Sequence, residues 1–352
     1  MATQIFKRSN MKHLIIISLL FISTIGFSQR VYDKIGEFGE YHKDWALVEF
    51  EGHYGFLHID GREVIPPKYT KIYKYGEDKK GWALVEQDGL YGYIDNAGRE
   101  VVKPKYTKIL DFNESMKSWA MVEKDGLYGF ISDKGAEVVQ PKYEEILAFG
   151  KIKDDWAVAI NKGLQGIINS KGAEIVKPQY NKINQFGGFK ADWALVEKDG
   201  KQGFIYYTGV EIVKPKYSMI YHFNEVHKDW AMVKVKGKYG FITTGAVEIV
   251  APKYSEIETF GEYRNGWALI KVDNKLGFLT DKGTEIVKPK YDSIGKFSKL
   301  IKGWALVSIE GKHGFITEDG VEIVKPKYDK IIKKGGVKGL IDGHWEKIKK
   351  RK

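Results

Sequence analysis

Short apolar runs, each closed by a glycine turn, make up most of this chain. In the stretch Trp119–Ile146, WAMVEKDGLYGFISDKGAEVVQPKYEEI, a first strand is predicted over Trp119–Lys124 and a return strand over Leu127–Ile131. Between them Asp125-Gly126 is a two-residue hairpin turn that requires positive φ. Asp133–Gly135 makes a second turn. A third strand over Glu137–Val139 is expected to stop at Pro141, which cannot donate to a ladder. Pairing across the hairpin puts Trp119, Met121, Tyr128 and Phe130 on one face, and Ala120, Val122, Gly129 and Ile131 on the other. The first face is bulky and the second nearly flat, so neighbouring copies are expected to nest one on the other. Small residues at fixed places on the flat face also imply that another backbone approaches closely there.

The pattern recurs at constant spacing. Tryptophan stands at 45, 82, 119, 156, 193, 230, 267 and 304, each 37 residues after the last. The same step carries Gly55 through to Gly314, Pro67 to Pro326 and Tyr69 to Tyr328. Register kept without insertion or deletion means one stacked array rather than domains on linkers. The expected fold is all-β: eight 37-residue three-stranded β-meander units in an open β-hairpin solenoid or superhelix. An eight-bladed β-propeller is the alternative, but its blades normally carry four strands where three are evident here. The two ends of the chain also duplicate the same part of the unit instead of complementing each other.

These residues resemble the WG-repeat (KWG-repeat) proteins of bacteria, whose unit reads roughly W-A-x-V, a D-G turn, K-W-G-F-I-D, a second glycine turn and E-V-I-P-P-K-Y-D. The likeness runs from Tyr32 to about Asp342, and Glu63-Val64-Ile65-Pro66-Pro67-Lys68-Tyr69 lies close to the pattern. At the Trp of the W-G pair this chain instead has Tyr54, Tyr91, Tyr128, Gln165, Gln202, Tyr239, Leu276 and His313. The resemblance implies a β-rich repeat array without established enzymatic activity, often exported or fused to other modules.

Composition adds a compartment. From Met11 the chain has a basic start at Lys12, an apolar run over Leu14–Ile25 too short to span a bilayer, and small residues at Gly26 and Ser28. That is the form of a secretory signal peptide cut before Gln29, with Met11 as the start. The expected organisation is therefore a signal peptide over 1–28, a partial repeat or cap over 29–44, the array over 45–328, and a degenerate partial repeat with a basic tail over 329–352. The protein is expected to be secreted or periplasmic, without a transmembrane span. With no cysteine it is expected to carry no lipid anchor, disulfide or thiolate site.

The net charge of +11 is unevenly placed. Lys7, Arg8 and Lys12 contribute +3 and the stretch from Asp329 onward contributes +6, which leaves +2 for 29–328. A nearly neutral array gives no reason to expect a nucleic-acid partner.

Candidate chemistry is sparse. The histidines lack metal-ligand spacing, and no nucleophile elbow, phosphate loop or dinucleotide fingerprint occurs, so neither a catalytic residue, a metal nor a cofactor is expected. The glutamate column Glu63, Glu100, Glu137, Glu174, Glu211, Glu248, Glu285 and Glu322 reads as an exposed ion-pair ladder flanked by lysines such as Lys103 and Lys105. As a calcium row it lacks Asp-rich loops. Function is instead expected where the repeats differ. The column holding Tyr54, Tyr91, Tyr128 and Tyr239 lies beside a second variable column, Glu49, Glu86, Glu123, Ile160, Glu197, Lys234, Lys271 and Ser308. With the loops before each Trp, these make a rim suited to a protein or a cell-envelope glycan, the four tyrosines being its candidate contacts. A spacer without ligand is the alternative, and an envelope-polymer hydrolase a distant third.

Overall fold

The computed structural model describes residues 30–114 and 116–348. The expected signal segment 1–28, Gln29 and the basic end 349–352 lie outside the described residues. Every regular element among the described residues is a β-strand, and no helix is long and apolar enough to cross a membrane. The fold is an all-β array of repeated antiparallel sheets, as the period requires.

The chain divides into two compact units after Thr70. The first is a single four-stranded sheet of Lys34–Ile35, Trp45–Phe50, His53–His58 and Glu63–Tyr69. The second holds seven more sheets of that design and a closing three-stranded sheet of Lys330–Lys333, Val337–Ile341 and His344–Lys347. Each full sheet thus has four strands, where sequence periodicity shows three. The added one is an entry strand such as Lys108–Ile109, which pairs with the following Trp strand, Val122 opposite Ile109. Two residues are too few to show a period of two, so only tertiary pairing reveals this strand.

The sheet spanning 108–143 shows how sequence sets register. Asp125 and Gly126 sit at φ of 53° and 75°, the geometry of a type I′ turn, and pair Met121 with Phe130 and Val122 with Gly129. The third strand does not stop at its proline. It runs over Glu137–Tyr143, with a bulge between the Phe130–Val139 and Tyr128–Tyr143 pairs. Pro141 sits in that bulge on an edge strand, where its missing N–H interrupts no ladder bond. The bulge lies against Gly129: a Cβ there would stand 2.3 Å from the Val139 carbonyl oxygen and 2.6 Å from the Pro141 nitrogen. The close approach expected from the glycine column is real, but it comes from the same sheet and not from a neighbouring copy.

Nesting of bulky on flat faces occurs between consecutive sheets of the second unit. Tyr93, Val102 and Tyr106 pack on Ala120, Val122 and Ile131 of the next sheet. Trp193, Phe204, Val213 and Tyr217 pack likewise on Ala231, Val233 and Ile242. All of these are buried, and each of the larger aliphatic or aromatic side chains stabilises by about 1.5–3 kcal/mol. The last sheet hands its face to the closing one, where Trp304, Phe315 and Tyr328 cluster with Ile348, Val337 and Ile341.

A second contact between sheets runs through the turn after the return strand. Gly135 at φ +82° would place a Cβ 2.4 Å from the Val101 carbonyl oxygen of the preceding sheet. The equivalent residue in the 219–254 sheet is Ala246, at φ +62°. An L-residue with a Cβ is strained in that region, so Ala246→Gly is expected to stabilise the protein by about 1 kcal/mol. Urea unfolding measures this, and a lowered midpoint would mean that the methyl group's packing outweighs the strain.

Candidate functional site: the variable rim

Most repeated side chains are used in joining one sheet to the next. Tyr106 donates its hydroxyl to Glu137 Oε2 of the following sheet at 2.8 Å, and Lys105 Nζ lies 2.7 Å from the same oxygen. The rung recurs as Tyr143 and Lys142 on Glu174, Tyr217 and Lys216 on Glu248, Tyr254 and Lys253 on Glu285, and Tyr291 and Lys290 on Glu322. At Glu211 the lysine is replaced by Gln179, and Tyr180 alone donates, at 3.0 Å. The closing sheet supplies Glu346 to Tyr328 and Lys327, and in the first unit Tyr32 and Arg30 engage Glu63. The partners are therefore a lysine and a buried tyrosine of the preceding repeat. Of the flanking lysines, Lys105 makes the close contact, with the glutamate of the following repeat, and a buried tyrosine joins it.

Electrostatics follow the geometry. Burial alone would raise the Glu137 carboxyl, but hydrogen bonds from Lys105 and Tyr106 outweigh it and hold the group below the ordinary range. Glu174, Glu248, Glu285 and Glu322 are lowered in the same way. Burial first, and the bond to glutamate second, push the Tyr106 phenol up; Tyr32 rises to about 12 for the same causes.

The rim column stays half-buried at Tyr54, Tyr91, Tyr128 and Tyr239, each opposite the buried ladder tyrosine of its own sheet, as Tyr128 is opposite Tyr143. Tyr128 leans on the cluster around Trp119 and Phe130. Gln165 and Gln202 serve the frame instead, each side-chain oxygen accepting the backbone N–H of Ile183 or Ile220 at 2.7 Å.

The second variable column has a local explanation that its own spacing does not show. Its residues face the entry strand, and the pairs change together: Lys34 with Glu49, Lys108 with Glu123, Lys182 with Glu197, then reversed as Glu256 with Lys271, and Ser293 with Ser308. Lys34 and Glu49 lie 3.2 Å apart, and the two serine hydroxyls 2.6 Å apart. Cross-strand complementarity accounts for this variation. Two pairs depart from this: Ile160 faces Glu145, and Lys234 faces Met219 and extends over the Tyr239 ring, 4.9 Å from its centroid.

Sequence reading also missed a second tyrosine at the rim. Tyr221 lies on the entry strand Met219–Phe223, five residues long where most others have two, and borders a cleft of about 330 Å³ with Met232, Tyr239, Ser255, Glu256 and Ile257. Tyr73 holds the equivalent place beside Tyr91, with Lys71 Nζ 4.1 Å from the Tyr73 centroid. At the places equivalent to Tyr73, the sheets of Tyr54 and Tyr128 carry Gly36 and Leu110. No group of three or more His, Asp or Glu side chains arranged to hold a metal occurs among the described residues. The loop histidines His42 and His227 instead lie tilted against Trp45 and Trp230, with ring centroids 4.3 Å apart in both.

The family model for the WG containing repeat matches seven times, over residues 54–91, 91–128, 128–163, 166–201, 203–239, 239–275 and 277–312. The chain belongs to the WG-repeat family. The matched WG repeats begin at or next to the rim column, so the family unit is the return strand, the proline strand, the entry strand and the next Trp strand. No curated protein matches the chain. Among solved structures it is similar to PorZ of the type-IX secretion system of Porphyromonas gingivalis, at 10% identity over 89% of this chain and 51% of that one, TM-score 0.21. It is also similar to the extracellular domain of a hybrid two component system from B. thetaiotaomicron, at 11% identity over 88% and 48%, TM-score 0.34. Apo AztD from Citrobacter koseri matches at 12% over 78% and 88%, TM-score 0.21. The chain spans about half the length of the first two. TM-scores this low assign neither an arrangement of the sheets nor an activity to the WG-repeat chain.

Proposed function

We propose that this WG-repeat protein is an exported, non-catalytic scaffold that binds a protein or a cell-envelope glycan through its variable rim. The observation that carries this reading is the division of labour among columns. Trp, Phe, Val, Tyr and Glu columns are taken up by packing and by the rungs between sheets, whereas the rim tyrosines stay half-exposed on a rigid frame. A fixed frame with a changing edge is how repeat arrays present extended binding surfaces. The signal-like segment supports export, and repeated columns already engaged in packing and rungs support binding over catalysis.

The test compares wild type with the triple variant Tyr54→Ala, Tyr91→Ala, Tyr128→Ala on envelope material of the producing cell. Retention is expected to fall by about tenfold or more while the far-UV spectrum is kept, since each lost aromatic contact is worth about 0.5–1.5 kcal/mol. Undiminished retention would leave the spacer reading standing. The same preparation tests export: the mature chain should begin at Gln29, and an intact N-terminus would remove that half of the proposal.

A further inference from the structure

The geometry points to a specific sugar site in the 219–254 sheet: the cleft at Tyr221 and Tyr239, with Lys234 beside it, takes a pyranose ring that carries a carboxylate. This deepens the rim reading and rests on it. In an array held together by translational symmetry, a group of departures in one repeat needs a cause of its own. Several coincide here. The entry strand is lengthened to Met219–Phe223, with a shift of register beyond Ile220. The residue opposite Lys234 is Met219, where other entry strands place a complementary partner for most residues of that column. Lys234 is thereby left without an acid across the strand and lies over the Tyr239 ring, 4.9 Å from its centroid, at the cleft that Tyr221 also borders.

The cleft suits a sugar better than an apolar side chain. Two phenol rings and Met232 supply its apolar lining, while Glu256 and the phenol hydroxyls offer hydrogen-bonding groups. Glu256 is itself balanced by Lys271 at 3.7 Å, so the charge left over at this lip is the Lys234 ammonium. A ring that stacks on tyrosine and brings a carboxylate to Lys234 uses both features. The Tyr73–Tyr91 pair repeats the aromatic wall four sheets earlier, but there Lys71 faces Glu86, so that copy lacks the surplus cation.

Tetragalacturonate and the neutral chitotetraose, titrated separately into the full chain by calorimetry, test this. Tetragalacturonate is expected to bind and to weaken by about tenfold in Tyr221→Ala and in Lys234→Met. Added salt should weaken the wild type and leave Lys234→Met nearly unaffected. Equal binding of chitotetraose would overturn the acidic-sugar assignment. Absence of binding by both sugars, or binding indifferent to Tyr221→Ala in a folded variant, would overturn the site. The rim reading would then still stand or fall on retention of the Tyr54, Tyr91, Tyr128 variant.

Discussion

Gly129→Ala is expected to cost more than about 3 kcal/mol and to split the denaturant unfolding of the array into two transitions. The added Cβ would meet the Val139 carbonyl oxygen at 2.3 Å, the Pro141 nitrogen at 2.6 Å and the Gln140 carbonyl carbon at 2.8 Å. All three are backbone atoms of the bulge, so no rotamer change relieves the overlap, and the proline strand must leave the sheet. That strand carries Val139 and Tyr143, which pack on Ala157, Ala159 and Ile168 of the next sheet, so the interface to 145–180 weakens with it. Stability in such an array is a sum over units and nearest-neighbour contacts, and breaking one contact uncouples its two sides. Gly126→Ala is the control. Gly126 has positive φ but open space around its Cβ position, so the cost there is about 1 kcal/mol from backbone strain alone. If the two variants unfold alike, the bulge contact is not what keeps the glycine.

Acid is expected to unfold the array through its rungs. Glu137, Glu174, Glu248, Glu285 and Glu322 are each held below the ordinary glutamate value of 4.5. A carboxyl lowered in the folded state takes up its proton first in the unfolded chain. The stabilisation it contributes is therefore complete above about pH 4.5 and is lost as pH falls further. Solvent still reaches these groups and screens the pairs, so each rung contributes about 1 kcal/mol at most, and five together several. Urea midpoints should fall steeply from pH 5 to pH 3 in the wild type. A variant with Gln at all five positions should begin lower and change little over that range. Parallel curves for the two proteins would show that the acid response lies elsewhere. The ladder tyrosines act in the opposite direction: raised above 10, they lose their contribution as pH climbs beyond that value.

Much of this architecture was legible beforehand because it is local. The Asp125-Gly126 turn, the pairing of Trp119 with Ser132 and the sorting of residues onto bulky and flat faces follow from hairpin geometry over a few residues. Features that depend on contacts about 31 residues away in sequence were read less well. The glutamate column announces itself as charge, but its main partners, Tyr106 and Lys105 on Glu137, are brought close only when one sheet stacks on the next. The rim was half legible. Tyr91 and Tyr239 stand in a column that visibly varies, whereas Tyr73 just follows the two-residue entry strand Lys71–Ile72 and Tyr221 lies on the entry strand Met219–Phe223, neither of which shows a period in the sequence. The one signal for them was a pair of aromatic residues at equivalent places in only two of the repeats.

The sequence by itself determined the repeat, its length, its β class and the inward faces, since a 37-residue period with hairpin turns admits no other periodicity of burial. Only the tertiary structure decided that each full sheet has a fourth strand, that the proline strand bulges over its own glycine, and that Lys234 stands beside two tyrosines rather than an acid. Local propensity acts within a turn and its two flanking strands. Which backbone closes an edge, and which charge finds which partner, are set by packing between segments that no short window of sequence contains.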